Sequence, residues 1–188
     1  MEVLKMSRFR DSLFETIRYL LYGKKHSFWL GEFEWEHRDK DGNIIDKWTT
    51  YNALANEGEY TILDNFFRKQ STPETFYLML VNDTPTIPDS LDLITGEPTG
   101  NGYERLEFTR DTTGWPDPIV KVSGHYMVIS KQVTFRAIGG SWGPVIYAIL
   151  TTIPTGTDGP LIAFVELSSP KTLADGESLL CRVKVRLR

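Results

Sequence analysis

The chain contains one cysteine, Cys181, among 188 residues. A lone thiol can form no intrachain disulfide and excludes a cysteine-based zinc site. The three histidines, His26, His37 and His125, lie far apart without ligand spacing, so each reads as a surface or strand residue and no metal role is expected. No apolar run approaches the roughly 20 residues that a membrane span needs. Charges run throughout Met1–Arg18, which does not fit a signal peptide. No phosphate-binding glycine loop or dinucleotide fingerprint occurs, so no cofactor is expected. A net charge of −4 argues against general nucleic-acid binding.

What is present is the make-up of one ordinary soluble domain. The chain is 40% hydrophobic and 24% charged, which excludes wholesale disorder. Its length suffices to bury a core without metals or disulfides. The charge is unevenly spread. Residues 1–25 hold six basic and three acidic side chains, whereas residues 81–118 hold two basic and eight acidic ones. Such asymmetry suits docking to a partner or to copies of the same chain.

The first 25 residues form a helical arm by pattern. Met6, Phe9, Leu13, Ile17 and Leu20 recur at intervals of three and four, Phe14 and Leu21 widen the stripe, and Gly23 supplies a stop. Leu13, Ile17, Leu20 and Leu21 are expected to bury against this subunit or a neighbour. Residues 26–188 form the main domain. Ser27–His37 and Ile44–Thr50 read as strands joined by a turn at Asp39-Lys40-Asp41-Gly42-Asn43. A bulge at Gly31 would reconcile Phe28 and Leu30 with Phe33 and Trp35. Asn56 reads as the cap of a second helix, with Glu59 reciprocal to it and Ile62, Leu63, Phe66 and Phe67 on its buried face. Phe76–Val81 is a nearly all-apolar strand, expected to be central.

Residues 82–102 lack periodicity and carry several prolines and glycines, the signature of a long and hence functional loop. Further strands are expected at 103–110, 125–137, 143–152, 161–168 and 178–187. The fold class is therefore mainly β, a jelly-roll-like β-sandwich with a helical N-terminal arm and one internal helix. The last strand alternates cleanly, with Leu179, Cys181, Val183, Val185 and Leu187 inward. Arg182, Lys184, Arg186 and Arg188 form a basic row on the other side. That row is expected to meet an acidic surface such as the loop with Asp89 and Asp92, on a neighbouring copy or another protein.

Motifs with chemical potential are few. Gly139-Gly140-Ser141-Trp142-Gly143 matches a nucleophile elbow in form, but a strand follows it and no histidine comes after Ser141. The Asp39–Asn43 turn has its glycine in the wrong place for a calcium loop. The carboxylate pairs Asp89/Asp92 and Glu104/Glu107 read as solvated surface. Trp115, Tyr103 and Trp142 sit beside loops, where they could stack on a sugar or a peptide, although core packing is the stronger reading. No catalytic, cofactor or metal residue is assigned, and the chain is not expected to be an enzyme.

A set of short motifs adds a resemblance. They are Asp41-Gly42-Asn43, Asn52-Ala53-Leu54-Ala55-Asn56-Glu57-Gly58, Ile62-Leu63-Asp64, Pro73 with Phe76-Tyr77-Leu78, and Gly96-Glu97-Pro98 with Gly100-Asn101-Gly102-Tyr103. Gly114-Trp115-Pro116, Val133-Thr134-Phe135 and Leu173-Ala174-Asp175-Gly176-Glu177-Ser178-Leu179 follow in order. From Asp41 to Arg188 the chain resembles a family of tailed-bacteriophage virion proteins. The resemblance implies a virion component with no catalytic residues, made in the host bacterial cytoplasm, and the leading reading is a structural subunit of the tail, baseplate or fibre-attachment region. The implied partners are other virion proteins and copies of itself, not nucleic acid or a membrane. A capsid decoration protein and a carbohydrate-binding receptor module are the alternatives.

Overall fold

The computed structural model describes residues 31–68, 73–86, 88–122 and 125–186. The expected arm helix with Leu13, Ile17, Leu20 and Leu21, the residues Phe28 and Leu30, and Arg188 lie outside the described residues. Among the described residues, eleven strands form two antiparallel sheets. The first sheet contains β1 (Gly31–Arg38), β2 (Ile44–Tyr51), β6 (Val120–Val122), β7 (His125–Ile129), β8 (Val133–Arg136) and β11 (Ser178–Arg186). Its order is β2-β1-β11-β7-β6, with β8 also paired to β11. The second contains β3 (Ala53–Leu54), β4 (Thr75–Val81), β5 (Leu106–Thr109), β9 (Trp142–Thr151) and β10 (Leu161–Leu173), in the order β3-β10-β9-β4-β5. The pairings nest: β1 lies on β11, β3 on β10 and β4 on β9.

Period-two patterning sets which side each strand presents. In β1, Phe33, Trp35 and His37 are buried while Glu32, Glu34 and Glu36 alternate outward. In β11, Leu179, Cys181 and Val183 are buried as the alternation predicts. Together with Val133 and Phe135 they meet Leu78, Leu80, Phe108, Val145, Leu150 and Val165 of the second sheet in one continuous core. The expectation that Phe76–Val81 is central holds, and β9 lies equally deep. β4 and β9 are covered on both faces, because Met79, Val81 and Ile149 pack in a second cluster with Leu161, Phe164, Leu91 and Ile94. Leu91 and Ile94 come from the long loop, which makes a short 3-10 turn at Leu91–Leu93. One role of that loop is therefore to roof the second sheet. Tyr147, expected to be buried, is only partly so.

Three local expectations need correction. The helix α1 (Asn56–Leu63) starts after Ala55, which makes no side-chain capping bond. Its start is fixed by docking instead: the Ala55 N–H donates to Ile162 O at 3.0 Å, and the Glu57 carboxylate accepts the Leu161 N–H at 2.6 Å. The buried position on α1 is Gly58, where a Cβ would lie 2.0 Å from Ile162 O. Ile62 and Leu63 face outward at 43% and 57% exposure. The side chain at position 58 is thus excluded by backbone, and Gly58→Ala should cost about 1–3 kcal/mol in urea denaturation by overpacking. A change below about 0.5 kcal/mol, the range of ordinary surface substitutions, would contradict this close approach.

The expected strand 125–137 is broken. Between the pairs Lys184↔Ile129 and Cys181↔Val133, three residues face two on β11, a bulge. Buried Ser130 holds it: its N–H donates to Val183 O at 2.8 Å and its Oγ accepts the Val183 N–H at 2.9 Å. At Gly31 the register with β11 is regular, and the shift in the β1–β2 pairing falls at His37/Arg38. Glycine at 31 serves close approach: its φ is +150°, and a Cβ would lie 1.5 Å from Lys184 O.

Candidate interaction surfaces

The outward face of the first sheet is a charge lattice. The antiparallel register sets Glu32 opposite Lys184 and Glu34 opposite Arg182. Lys184 Nζ lies 2.7 Å from Glu34 and 3.9 Å from Glu32, and Arg186 Nη2 lies 3.4 Å from Glu32. Glu36 accepts Lys47 at 3.6 Å and also pairs with Arg38. Lys184 and Arg186 of the basic row on β11 are thus paired inside the subunit with Glu32 and Glu34 of β1, so repulsion between these two is no reason to expect an outside acidic partner. Glu32, Glu34 and Glu36 alternate in the sequence as regularly as the cations. What was missing was the knowledge that the first and last strands are neighbours.

The acids of the long loop are mostly spent on its own shape. Asp89 accepts the Thr86 N–H at 2.6 Å, and Asp92 accepts the Ser90 hydroxyl. Asp83 accepts the Thr95 N–H at 3.0 Å and the Gly96 N–H at 2.5 Å, which ties the two ends of the loop together. The ion pairs of Lys184 and Arg186 run to Glu32 and Glu34, not to Asp89 or Asp92.

Behind the loop lies a buried polar knot that sequence reasoning missed. Arg105, 3% exposed at its side chain, grips Glu97 with two bonds, Nε to Oε1 at 2.8 Å and Nη2 to Oε2 at 2.7 Å. The same guanidinium donates to Ile153 O at 3.1 Å and Gly156 O at 2.7 Å. The Tyr103 hydroxyl donates toward Glu97 Oε1 at 3.0 Å and accepts the Leu80 N–H at 2.9 Å. Burial, then the nearby Glu97 charge, holds that phenol well above its usual range. Charge-assisted, bidentate bonds of this kind fix geometry as well as charge, so the loop is clamped onto β4 and onto the turn after β9.

The motifs with chemical potential resolve as structural. Ser141 sits in the exposed turn before β9, its carbonyl accepting Asn101 Nδ2 at 2.7 Å. His37 is paired with Glu177 at 3.2 Å. Asp39 closes its own turn, accepting the N–H groups of Asp41 and Asn43 at 2.9 and 2.8 Å. The aromatic candidates are committed to packing. Tyr103 stacks on Phe135, Trp142 meets both rings edge-on, and Trp115 packs against Phe108. These three rings are therefore not a sugar-stacking platform. Cys181 is buried, and burial raises its thiol well above the usual range, so it is poorly disposed to react.

Three carboxylates couple stability to pH. Hydrogen bonds hold Asp39 and Asp111 below the ordinary 3.8, the first through Asn43 and the second through the Gly114 N–H and Thr109. The Lys171 ammonium, 2.6 Å away, does the same for Asp46. A depressed folded value means the stabilisation is present above 3.8 and is lost as pH falls through the folded values. The urea midpoint should therefore be flat from about pH 7 to 5 and drop below about pH 4, and Asp46→Asn should shallow that drop. A midpoint unchanged down to about pH 2.5 would contradict it.

The body so described can now be set beside known families. A family model described as Podophage GP4 fiber I protein gp80 matches residues 53–185. The chain belongs to this family. No curated protein matches it. The gp80 match runs from β3 to the end of β11, taking in the whole second sheet, α1, the clamped loop and the Glu97–Arg105 knot. It agrees with the resemblance read from Asp41 onward: this is a tailed-phage structural protein of the tail and fibre class. β1, β2 and the N-terminal segment precede the matched residues, so the acids Glu32, Glu34 and Glu36 of the charge lattice lie outside them, while Arg182 and Lys184 of β11 lie inside.

Proposed function

We propose that this chain is a non-enzymatic structural subunit of the tail, baseplate or fibre-attachment region of a tailed-phage virion. It acts through contacts with other virion proteins and with copies of itself. The observation that carries the proposal is the match to the gp80 fibre family over residues 53–185, most of the two-sheet body. The physical character of the body supports it. Two sheets share an aromatic core, and the long loop is tied down at both ends by Asp83 and by the Glu97–Arg105 clamp. A rigid block of this kind suits repeated, symmetric contacts.

The test is genetic and structural. Phage carrying a nonsense codon in this gene should still make DNA-filled heads, while electron microscopy should show particles lacking fibres or their attachment region. Empty or unstable heads would point to a capsid decoration role instead. Complete, infectious particles would overturn the proposal.

A further inference from the structure

Helix α1 is eight residues long, too short to be stable by itself. Only its Gly58 side is packed away, on β10. Beside the polar Asn56 and Glu59, three apolar side chains stay open on it: Tyr60 is 64%, Leu63 57% and Ile62 43% exposed. Beside it runs a groove of about 680 Å³ between Tyr60 and Thr61 on one wall and Pro73, Thr152 and Pro160 on the other. Three exposed apolar side chains within four residues, beside a groove, make an apolar patch on a short helix that is uncovered among the described residues.

We propose that the groove and the Tyr60–Leu63 face are the docking site for residues 6–21 of this same chain, laid back in cis. Position argues for it first. The described chain begins at Gly31, whose carbonyl accepts the Asn52 N–H at 3.4 Å, and Asn52 lies only four residues before the first residue of α1. The nine residues 22–30 can span up to about 30 Å, and α1 is about 12 Å long, so the stripe reaches the whole helix. Chemistry argues for it next. The stripe of Leu13, Ile17, Leu20 and Leu21 supplies apolar side chains for an apolar face. The tether decides between cis and trans. A short linker holds the segment at about millimolar effective concentration, so in dilute solution it outcompetes a second copy.

Hydrogen exchange on the full chain tests this. In the wild type, amides of residues 56–68 should exchange at least ~10-fold more slowly than in the double variant Leu13→Asp/Ile17→Asp, while peptides of β9 stay equally protected in both. The difference should not change between about 1 and 50 µM protein, because a tethered contact ignores concentration. Equal exchange in the two proteins would overturn the proposal. Protection that grows with concentration would overturn it too, by assigning the site to a second copy. Should the variant lose core protection, a cysteine pair replaces it. Ile17→Cys with Tyr60→Cys should oxidise to a cross-linked monomer, Cys181 being buried. A cross-linked dimer, or no cross-link, counts against docking in cis.

Discussion

Arg105→Ala should destabilise the subunit by about 3–5 kcal/mol, the range for removing one partner of a buried ion pair. The cause is what remains. Glu97 would keep its charge against a partly buried wall, Tyr103 would share an unneutralised acceptor, and the carbonyls of Ile153 and Gly156 would lose their donor. Because Glu97 is 25% exposed and water can reach it, the lower half of that range is the better expectation. Arg105→Lys should recover less than half of the loss, since one ammonium cannot reproduce the two-point grip on the carboxylate. Urea denaturation followed by tryptophan fluorescence gives both numbers. A loss for Arg105→Ala under about 1 kcal/mol would mean that the clamp is ornamental and that the loop is held by Leu91 and Ile94 alone.

Trp35→Ala should cost a similar amount, about 3–5 kcal/mol, for a different reason. Trp35 is fully buried on β1 and is flanked by the rings of Phe33 and Trp48, each with its centroid 6.1 Å away. Truncation removes a large transfer term and leaves a cavity that flanking strands cannot close without breaking register. It also strips Thr50 Oγ1 of its 2.9 Å bond from the indole. Trp35→Phe keeps an aromatic ring in the row and should cost less than half as much. If Trp35→Ala lost under about 1.5 kcal/mol, β1 would not belong to the core. The sandwich would then begin at β3, where the family match also begins.

Much of the fold was legible because strands write their side preference locally. The alternations in 32–37 and 179–183 and the two-sided apolar run 145–150 needed no partner to be read. The turns at Asp39–Asn43 and Asp175-Gly176 were equally local, and Asp39 does close its turn onto Asn43. What could not be read were features fixed by distant residues. Ser130 breaks a strand because Val183 lies across from it. The start of α1 is set by Ile162 and Leu161 rather than by Asn56. Glu97 and Arg105, eight residues apart, gave no sign of pairing until the loop between them was seen folded. The charge row on β11 shows the same limit most clearly: its members were identified, but half of the lattice came from the other end of the chain.

The most direct test of the assignment is a cryo-EM map of the intact particle at a resolution that separates strands. The account predicts the two-sheet body, with the β1–β11 pair and the roofed second sheet, repeated around the tail or fibre axis. The same body found on the capsid lattice, or missing from the particle altogether, would contradict it.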